Sequence, residues 1–547
     1  MWPVADWLRG YRPAALLRGD SIGALTAWAL IVPECVAYAQ IAGVPPQNAF
    51  YAAPVALLVY ALLGRSRFLI IGATSAAAVL SGATVSDVSS DPQRAVGLSA
   101  ALAIIAGAVL LAAGIARLGF ITNFLAEPAL VGFLFGMALT IVVRQAAKIV
   151  GVSSGDGDFF QRIWHLVSHV GDWSLLSLLV GVAAVVLLFA LERFLPRLPA
   201  SLIVLVLGLV VSAATHLKDH GVDVVGRIPA SIPTLHLPGI PAEDWLTLTA
   251  GAFGVALVCF AEAFSIASRF ARENGDEVDA NREMAAVGAA NIAVGFFRGF
   301  VVSGSASRTA AAKGAGAATP MVSLIAAVLV LITGAFLTPL FTDLPEPVLG
   351  AIVIVAVRGF LRLDELRRYA RFDRPSLWVA LTAVAGVLVF DLLPGLLLAV
   401  VLSLVLFIAA ASRPTVAVLG RVPGTERYAD VAGTPDAETI DGVLVVRPDS
   451  ALFFGNVDRV RLTVLAEAAA DPRPTDVVLD LNASYHFGLP VLDALQDLRT
   501  ELDRRGVTLR LARVRALARD DLARHVLGEA PQYTSIEDAR AAIGHAP

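Results

Sequence analysis

The segment "RGFVVSGSASRTAAAKGAGAATP" (residues 298–320) sets Ser303, Ser305, Ser307, Arg308 and Thr309 between two apolar runs, 286–297 and 321–337. In a soluble protein this is a polar loop. At membrane depth, the same groups are costly and need a purpose. The composition decides between these solvents. Hydrophobic residues make up 57% of the 547 and charged residues 16%, with a mean hydropathy of +0.74. Soluble domains carry about 25% charged residues. Windows such as 22–39, 175–191 and 392–411 meet the roughly 17–25 apolar residues that a bilayer crossing needs. The chain therefore reads as a polytopic membrane protein. Its first twenty residues are broken by Arg and Pro and show no signal-peptide pattern, so the first span serves as the insertion signal.

The apolar pattern stops near Ser412. Residues 1–411 read as the transmembrane domain, 412–437 as a linker rich in Pro, Gly and Thr, and 438–547 as a small soluble domain. In that domain 441–456, 475–483 and 507–514 have strand character and 491–506 has helical spacing, which implies an α/β sheet. The first part holds about fourteen hydrophobic segments. With the amino terminus inside, the inner loops carry Arg9, Arg12 and Arg18, Arg65 and Arg67, Arg117, Arg193 and Arg197, Arg269, Arg272 and Arg282, and the cluster Arg358–Arg374. Outer loops such as "GVPPQN" and "FTDLPEP" carry none. This satisfies the positive-inside rule, with exceptions at Arg144–Lys148 and 218–227. An even span count places both termini in the cytoplasm.

The opening segment has a partner. "FLIIGATSAAAVLSGA" (68–83) shares with "FVVSGSASRTAAAKGAGA" (300–317) a short apolar run, then Gly with Thr and Ser, then three alanines. The copies fall in the third and tenth segments, an odd number of spans apart, so they enter from opposite sides. Inverted, Gly-interrupted short segments mark transporter binding sites. Each copy reads as a short extended stretch reaching the midplane, followed by a half-helix. Gly72 and Gly304 allow close approach, and hydroxyl residues cap the helix starts. The unpaired N–H groups and positive ends of both half-helices then define a site for an anion. Its candidate ligands are Gly72, Ala73, Thr74, Ser75, Gly304, Ser305, Ala306, Ser307 and Arg308, the last adding a full charge. Packing faces of small residues are the plainer reading of either segment alone. The pairing and Arg308 favour the anion site.

With these motifs in hand, the chain resembles the sulfate permease (SulP) family over nearly its whole length. The resemblance rests on "VPECVAYAQIAGVPPQNAFYAAPVALLVYALLGRSR" (32–67), "DANREMAAVGAANIAVGFFRGFVVSGSASRTAAAKGAGAATP" (279–320) and a carboxy-terminal region similar to a STAS domain. It implies fourteen spans as two inverted seven-span repeats, divided into core and gate domains, with homodimers and an elevator-like movement of the core. Two departures stand out. Gly72-Ala73 replaces the family's Gly-Pro, and Pro at the first helical position preorganises that turn. In the STAS region Leu489 stands where some members carry a phosphorylated Ser, which favours a packing or docking role over a phosphoserine switch.

Two carboxylates fall inside spans, Glu262 in "GVALVCFAEAFSIASRF" and Glu34 in "LIVPECVAYAQ". Intramembrane carboxylates are functional by default. Glu262 matches the family's acidic position in that span and is assigned as the coupling residue. It takes up and releases a proton, or else neutralises Arg308 as a structural partner. Glu34 follows Pro33 and lines the cavity, with Gln40 and Tyr38 as hydrogen-bonding neighbours. Cys35 and Cys259 lie in apolar runs and read as inert thiols. His165, His169, His216, His220 and His236 are scattered and form no ligand set. Neither a phosphate-binding loop nor a nucleophile–base set appears, which argues against an ATP-driven pump and against an enzyme. The expectation is a secondary active transporter of sulfate, bicarbonate or a dicarboxylate, coupled to protons and free of cofactors. It sits in a bacterial inner membrane, contacts lipid, and has no nucleic-acid partner. Sodium-coupled bicarbonate symport, with Ser265 and Ser303 as extra oxygens, is the close alternative. Uncoupled exchange or conduction, and a sensor built on the STAS domain, are the others.

Overall fold

The computed structural model describes residue 7 and residues 11–89, 91–120, 127–155, 157–195, 198–390 and 392–543. Arg9 and Arg197 of the topology reading, and positions 544–547 of the soluble domain, lie outside them. The chain forms two compact units, Met1–Ser403 and Leu404–Pro547. The boundary falls inside the last apolar helix, ahead of the expected limit at 411.

The first unit runs α1 (Pro13–Ile41), α2 (Pro46–Leu63), β1 (Ile71–Gly72), α3 (Ser75–Val88), α4 (Pro92–Ile115), α5 (Glu127–Val150), α6 (Phe159–Ser168), α7 (Leu175–Phe194), α8 (Ala200–Thr215), α9 (Ala242–Arg272), α10 (Ala280–Phe296), β2 (Ser303–Gly304), α11 (Ala306–Gly314), α12 (Met321–Ile332), α13 (Glu346–Val357), α14 (Leu363–Phe372), α15 (Arg374–Phe390) and α16 (Leu392–Ala411). The helices α6 and α14 are short and bury no residue. Setting them aside leaves fourteen helices among the described residues, with α3 third and α11 tenth. Seven helical spans are long and apolar enough to cross a membrane by themselves. The half-length α3 and α11 are not, because each begins only after an extended stretch.

Packing sorts these helices into two groups. α1–α4 pack with one another and with α9–α12, while α5, α7 and α8 pack with α13, and α5 also with α15. The α4–α10 crossing shows how close the first group approaches. Gly107 on α4 meets Gly288 on α10, while Gly114 lies against Asn281 and Ala285 and Gly295 against Ala100 and Ile104, so each helix presents two glycines two turns apart on one face. A Cβ on Gly107 would lie 2.6 Å from the Gly288 carbonyl oxygen, and one on Gly288 2.6 Å from the Leu111 nitrogen. Where lipid replaces water, such backbone contact supplies the dispersion that holds helices together.

In the second unit a six-stranded sheet has the order β4-β3-β5-β6-β7-β8, from β3 (Val416–Arg421), β4 (Tyr428–Asp430), β5 (Val443–Pro448), β6 (Asp476–Asp480), β7 (Thr508–Ala512) and β8 (Gln532–Tyr533). The pairings β5–β6, β6–β7 and β7–β8 are parallel, and β3 is antiparallel to both its neighbours. The helices α17 (Val457–Glu467), α18 (Leu489–Arg504) and α19 (Ala516–Ala523) bury Val460, Leu495 and Leu522 on one face of the sheet, and α20 (Ile536–Ile543) buries Ile536 on the other. The stretch 412–437 is therefore not a free linker, since it supplies β3 and β4. Its Pro, Gly and Thr content belongs to the turns around β3 and the short edge strand β4. Leu489 opens α18 and is 63% exposed.

The α4–α10 contact generates a direct test. Gly288→Val forces a side chain into backbone atoms and should cost at least the roughly 1–3 kcal/mol of overpacking. Purified protein should show a lowered thermal midpoint or lose its monodisperse elution. Gly171→Ala, where a Cβ meets nothing within 4 Å, should leave both unchanged.

Candidate functional site

Two extended stretches meet in the interior of the first unit. β1 and β2 pair antiparallel, with Ile71 opposite Gly304 and Gly72 opposite Ser303. Non-helical backbone at membrane depth survives only where protein satisfies its polar groups, and side chains do so here. The Asn291 side chain accepts from the Val302 N–H at 2.9 Å and donates to the Val302 carbonyl at 3.0 Å. Thr309 Oγ1 accepts from the Ile70 N–H at 3.1 Å, and the Ile70 carbonyl accepts from the Ser305 N–H at 3.0 Å. Asn291 and Thr309 are fully buried. Neither is among the candidate ligands, although a lone Asn in the apolar span 286–297 is a visible signal.

From this bridge the half-helices leave in opposite directions. Thr74 caps α3, its Oγ1 accepting from the Ala77 N–H at 3.3 Å, and Ser305 caps α11, accepting from the Arg308 N–H at 3.4 Å. Beyond the caps, the first N–H groups of each helix have no intrahelical acceptor. The two ends differ in access. Ala73, Thr74 and Ser75 are buried, whereas Ala306 and Ser307 in the first turn of α11 are exposed. Ser307 Oγ lies 3.1 Å from Ser305 Oγ. The open flank of the site is thus the amino end of α11.

Arg308 points away from that flank. Only 1% exposed, it donates through Nη2 to the Ala73 carbonyl at 2.7 Å, and its Nε lies 3.4 Å from Glu34 Oε2. It therefore ties α11 to the backbone just before α3 and to α1. Gly72 is required by this arrangement, since a Cβ there would sit 2.6 Å from Arg308 Nη1. Gly304 is required by α9, since its Cβ would lie 2.9 Å from the Ala263 Cα. Glu262, on α9 and half-buried, accepts from Thr74 Oγ1 at 3.3 Å. Ser303, one residue before Gly304, donates to the Cys259 carbonyl at 2.8 Å. The ion-pair partner of Arg308 is Glu34, so the reading of Glu262 as its neutralising partner does not describe this structure.

The structure therefore brings together Gly72, Ala73, Thr74, Ser75, Gly304, Ser305, Ala306, Ser307, Arg308, Glu262 and Glu34. Gln40 is placed elsewhere. It lies six residues beyond Glu34, about 9 Å further along α1 at 1.5 Å per residue. There its amide donates to Glu346 Oε1 at 2.7 Å and accepts from Lys148 Nζ at 2.7 Å.

An interior crossing of two extended stretches, each opening a capped half-helix of opposite direction, defines a membrane transporter built from inverted repeats. Comparison with known proteins names the family. The sulfate permease family model matches residues 17–383 and the STAS domain model matches 434–539. A probable sulfate transporter of Mycobacterium tuberculosis is 38% identical over 508 residues, covering 92% of this chain and 91% of that one. Sulfate transporter 1.3 of Arabidopsis thaliana is 30% identical over 544 residues, covering 94% and 82%. The chain belongs to the sulfate permease family, a family of anion transporters rather than enzymes, and carries a STAS domain. Among solved structures, the murine Solute Carrier 26 family member A9 anion transporter in the inward-facing state superposes with a TM-score of 0.93 at 24% identity, covering 100% of this chain and 94% of that one. The transmembrane domain of the cyanobacterial bicarbonate transporter BicA gives 0.62 at 22%, covering 71% and 98%. These two likenesses concern the fold.

The Arg308–Glu34 pair carries its own test. Glu34→Gln leaves a buried guanidinium without its counter-charge, a loss of about 3–5 kcal/mol for a broken buried pair. The thermal midpoint of the purified protein should fall. The double variant Glu34→Gln/Arg308→Met should fall by less than the sum of the two single effects. Additive losses would show that the pair does not act as a unit.

Proposed function

We propose that the protein is a secondary active transporter of a small oxyanion, driven by proton symport through Glu262. The observation that carries this reading is the contact between Glu262 and Thr74, the cap of α3. One side chain that can exchange a proton is thereby hydrogen-bonded to the residue that shapes an anion-binding helix end. The anion is held at the open first turn of α11, by N–H groups around Ala306 and Ser307. Arg308 contributes positive potential from behind while it fixes the two half-helices. This differs from direct ligation by Arg308, and it follows from the burial of the guanidinium.

Sulfate is the leading substrate, because the relatives at 38% and 30% identity bear the names of sulfate transporters. Bicarbonate and dicarboxylates are the alternatives, and bicarbonate is the ion for which the structural neighbour BicA is named a transporter. Sodium coupling calls for hydroxyl oxygens around Glu262. Ser303 is fully buried beside Glu262 and donates to the Cys259 carbonyl, which leaves its oxygen able to coordinate a cation, while Ser265 is exposed on α9, so sodium is the alternative that the uptake assay separates from protons. The two packing groups supply the parts for an elevator, with the half-helices in the moving core. A homodimer in a bacterial inner membrane with cytoplasmic termini completes the reading.

Proteoliposomes loaded under an imposed ΔpH or Na⁺ gradient test the coupling with labelled sulfate, bicarbonate and fumarate. Wild type should accumulate sulfate with ΔpH. Glu262→Gln should lose accumulation at least about tenfold, the scale on which a positioned proton-transfer group acts, while anion exchange persists. Unchanged ΔpH-driven accumulation in the variant would overturn the assignment.

A further inference from the structure

Of the exceptions to the positive-inside pattern, the pair Arg144 and Lys148 shares one place in the fold. Arg144 and Lys148 lie near the carboxy end of α5, on the face opposite the arginine-rich loops, and Arg162 joins them from α6. All three line one cavity of about 520 Å³, within the roughly 300–1,000 Å³ range of small-molecule sites. Val79 of half-helix α3 is also in its wall. Val79 lies five residues beyond the Thr74 cap, so the chamber stands on the outward side of the half-helix pair. Cations on an outer face run against the distribution that sets membrane topology, which calls for a reason to keep them there.

Lys148 is occupied but replaceable. Its Nζ donates to Glu346 Oε2 at 2.8 Å and to Gln40 Oε1 at 2.7 Å, and Gln40 donates in turn to Glu346 Oε1 at 2.7 Å. An ammonium has three donors, and this network uses two. Its partners come from different packing groups, Glu346 from α13 and Gln40 from α1. Arg162 has a structural duty as well, donating to the carbonyls of Gly155 and Gly157 at 2.8 Å each. The lining holds three cations and two carboxylates, Glu346 and Asp223, and Asp158 lies beside Arg144 and Arg162 in an adjoining cavity, so Lys148 is the cation on which the chamber turns.

We infer that this chamber is a second anion site on the outward path to the half-helices, taking a small oxyanion. Lys148 is its principal cation, and Glu346 with Gln40 is the internal competitor that holds Lys148 when the chamber is empty. The inference rests on the anion-transport reading and adds a capture step to it. An arriving oxyanion takes the free donor of Lys148 and weakens its hold on Gln40, the one member of the network carried by the core.

Protection of a thiol tests this without any transport step. Cys35 and Cys259 are buried and Ser153 is exposed in the chamber wall, so Ser153→Cys presents one reactive thiol. Full-length protein in oriented liposomes is labelled from outside with a membrane-impermeant maleimide while sulfate, and separately bicarbonate, is titrated. One of these anions should slow labelling saturably. Lys148→Gln should raise its half-protecting concentration about tenfold or more, the scale of one charge-assisted contact, and Lys148→Arg should largely restore it. Glu346→Gln, which frees Lys148, should shift it the opposite way, and it decides the matter if Lys148→Gln fails to fold. Absence of protection by either anion, equal protection in Lys148→Gln and its parent, or protection only from the inside would overturn the site. Loss of proton coupling with protection intact would overturn the Glu262 reading alone.

Discussion

The guanidinium of Arg308, held between the Ala73 carbonyl and the Glu34 carboxylate, is the interaction on which the rest of the transmembrane unit depends. A full charge inside a membrane protein is tolerable only with a counter-charge and a hydrogen-bonding partner. Here those partners come from α1 and from the turn that starts α3. The arginine therefore fixes where α11 lies relative to both, and it dictates glycine at position 72. The two-stranded bridge, the caps at Thr74 and Ser305, and the buried Asn291 and Thr309 all serve the same end. They let two chain segments stop in mid-membrane with the backbone of the crossing itself paired, while first-turn N–H groups of the half-helices stay without an intrahelical acceptor.

That construction separates two tasks that a single arginine could otherwise combine. In the proposed reading, Arg308, already paired with Glu34, organises the half-helices from the buried side. Direct contact with the anion is, in that same reading, left to the exposed first turn of α11, whose N–H groups are already aligned and need no reorganisation. Glu262 reaches one half-helix differently, bonding to the cap of α3 from α9. A change of protonation at Glu262 alters a hydrogen bond at one helix end while the Arg308 tie stays intact. For the proposed coupling role, this gives sensitivity at the site without loss of the scaffold.

Much of this is legible in the sequence because polar residues are rare in such a chain and stand out. The matched glycines, hydroxyls and alanines at 68–83 and 300–317 reveal the two half-helices, their caps and their opposite directions. Directions of side chains are not legible. Nothing in "SASRTAAA" distinguishes an arginine that faces a ligand from one turned inward to Ala73, because the choice is made by Glu34, some 270 residues earlier in the chain. Gln40 groups with the site on sequence proximity to Glu34, yet helix rise carries it a turn and a half away to Lys148 and Glu346. The connector at 412–437 misleads for another reason. Edge strands as short as β4 carry too few alternating residues to register against a Pro- and Gly-rich background.

The central claim is that an anion rests at the meeting of the two half-helices, against the open first turn of α11 and not on the Arg308 guanidinium. Anomalous diffraction from crystals grown with selenate, an analogue of sulfate with a heavier centre, measures this directly. A selenium peak should appear within hydrogen-bonding reach of the Ala306 and Ser307 nitrogens, with Arg308 still bonded to Ala73. A peak on a guanidinium swung free of Ala73 and Glu34, or none between the half-helices under conditions where selenate is transported, would contradict the claim.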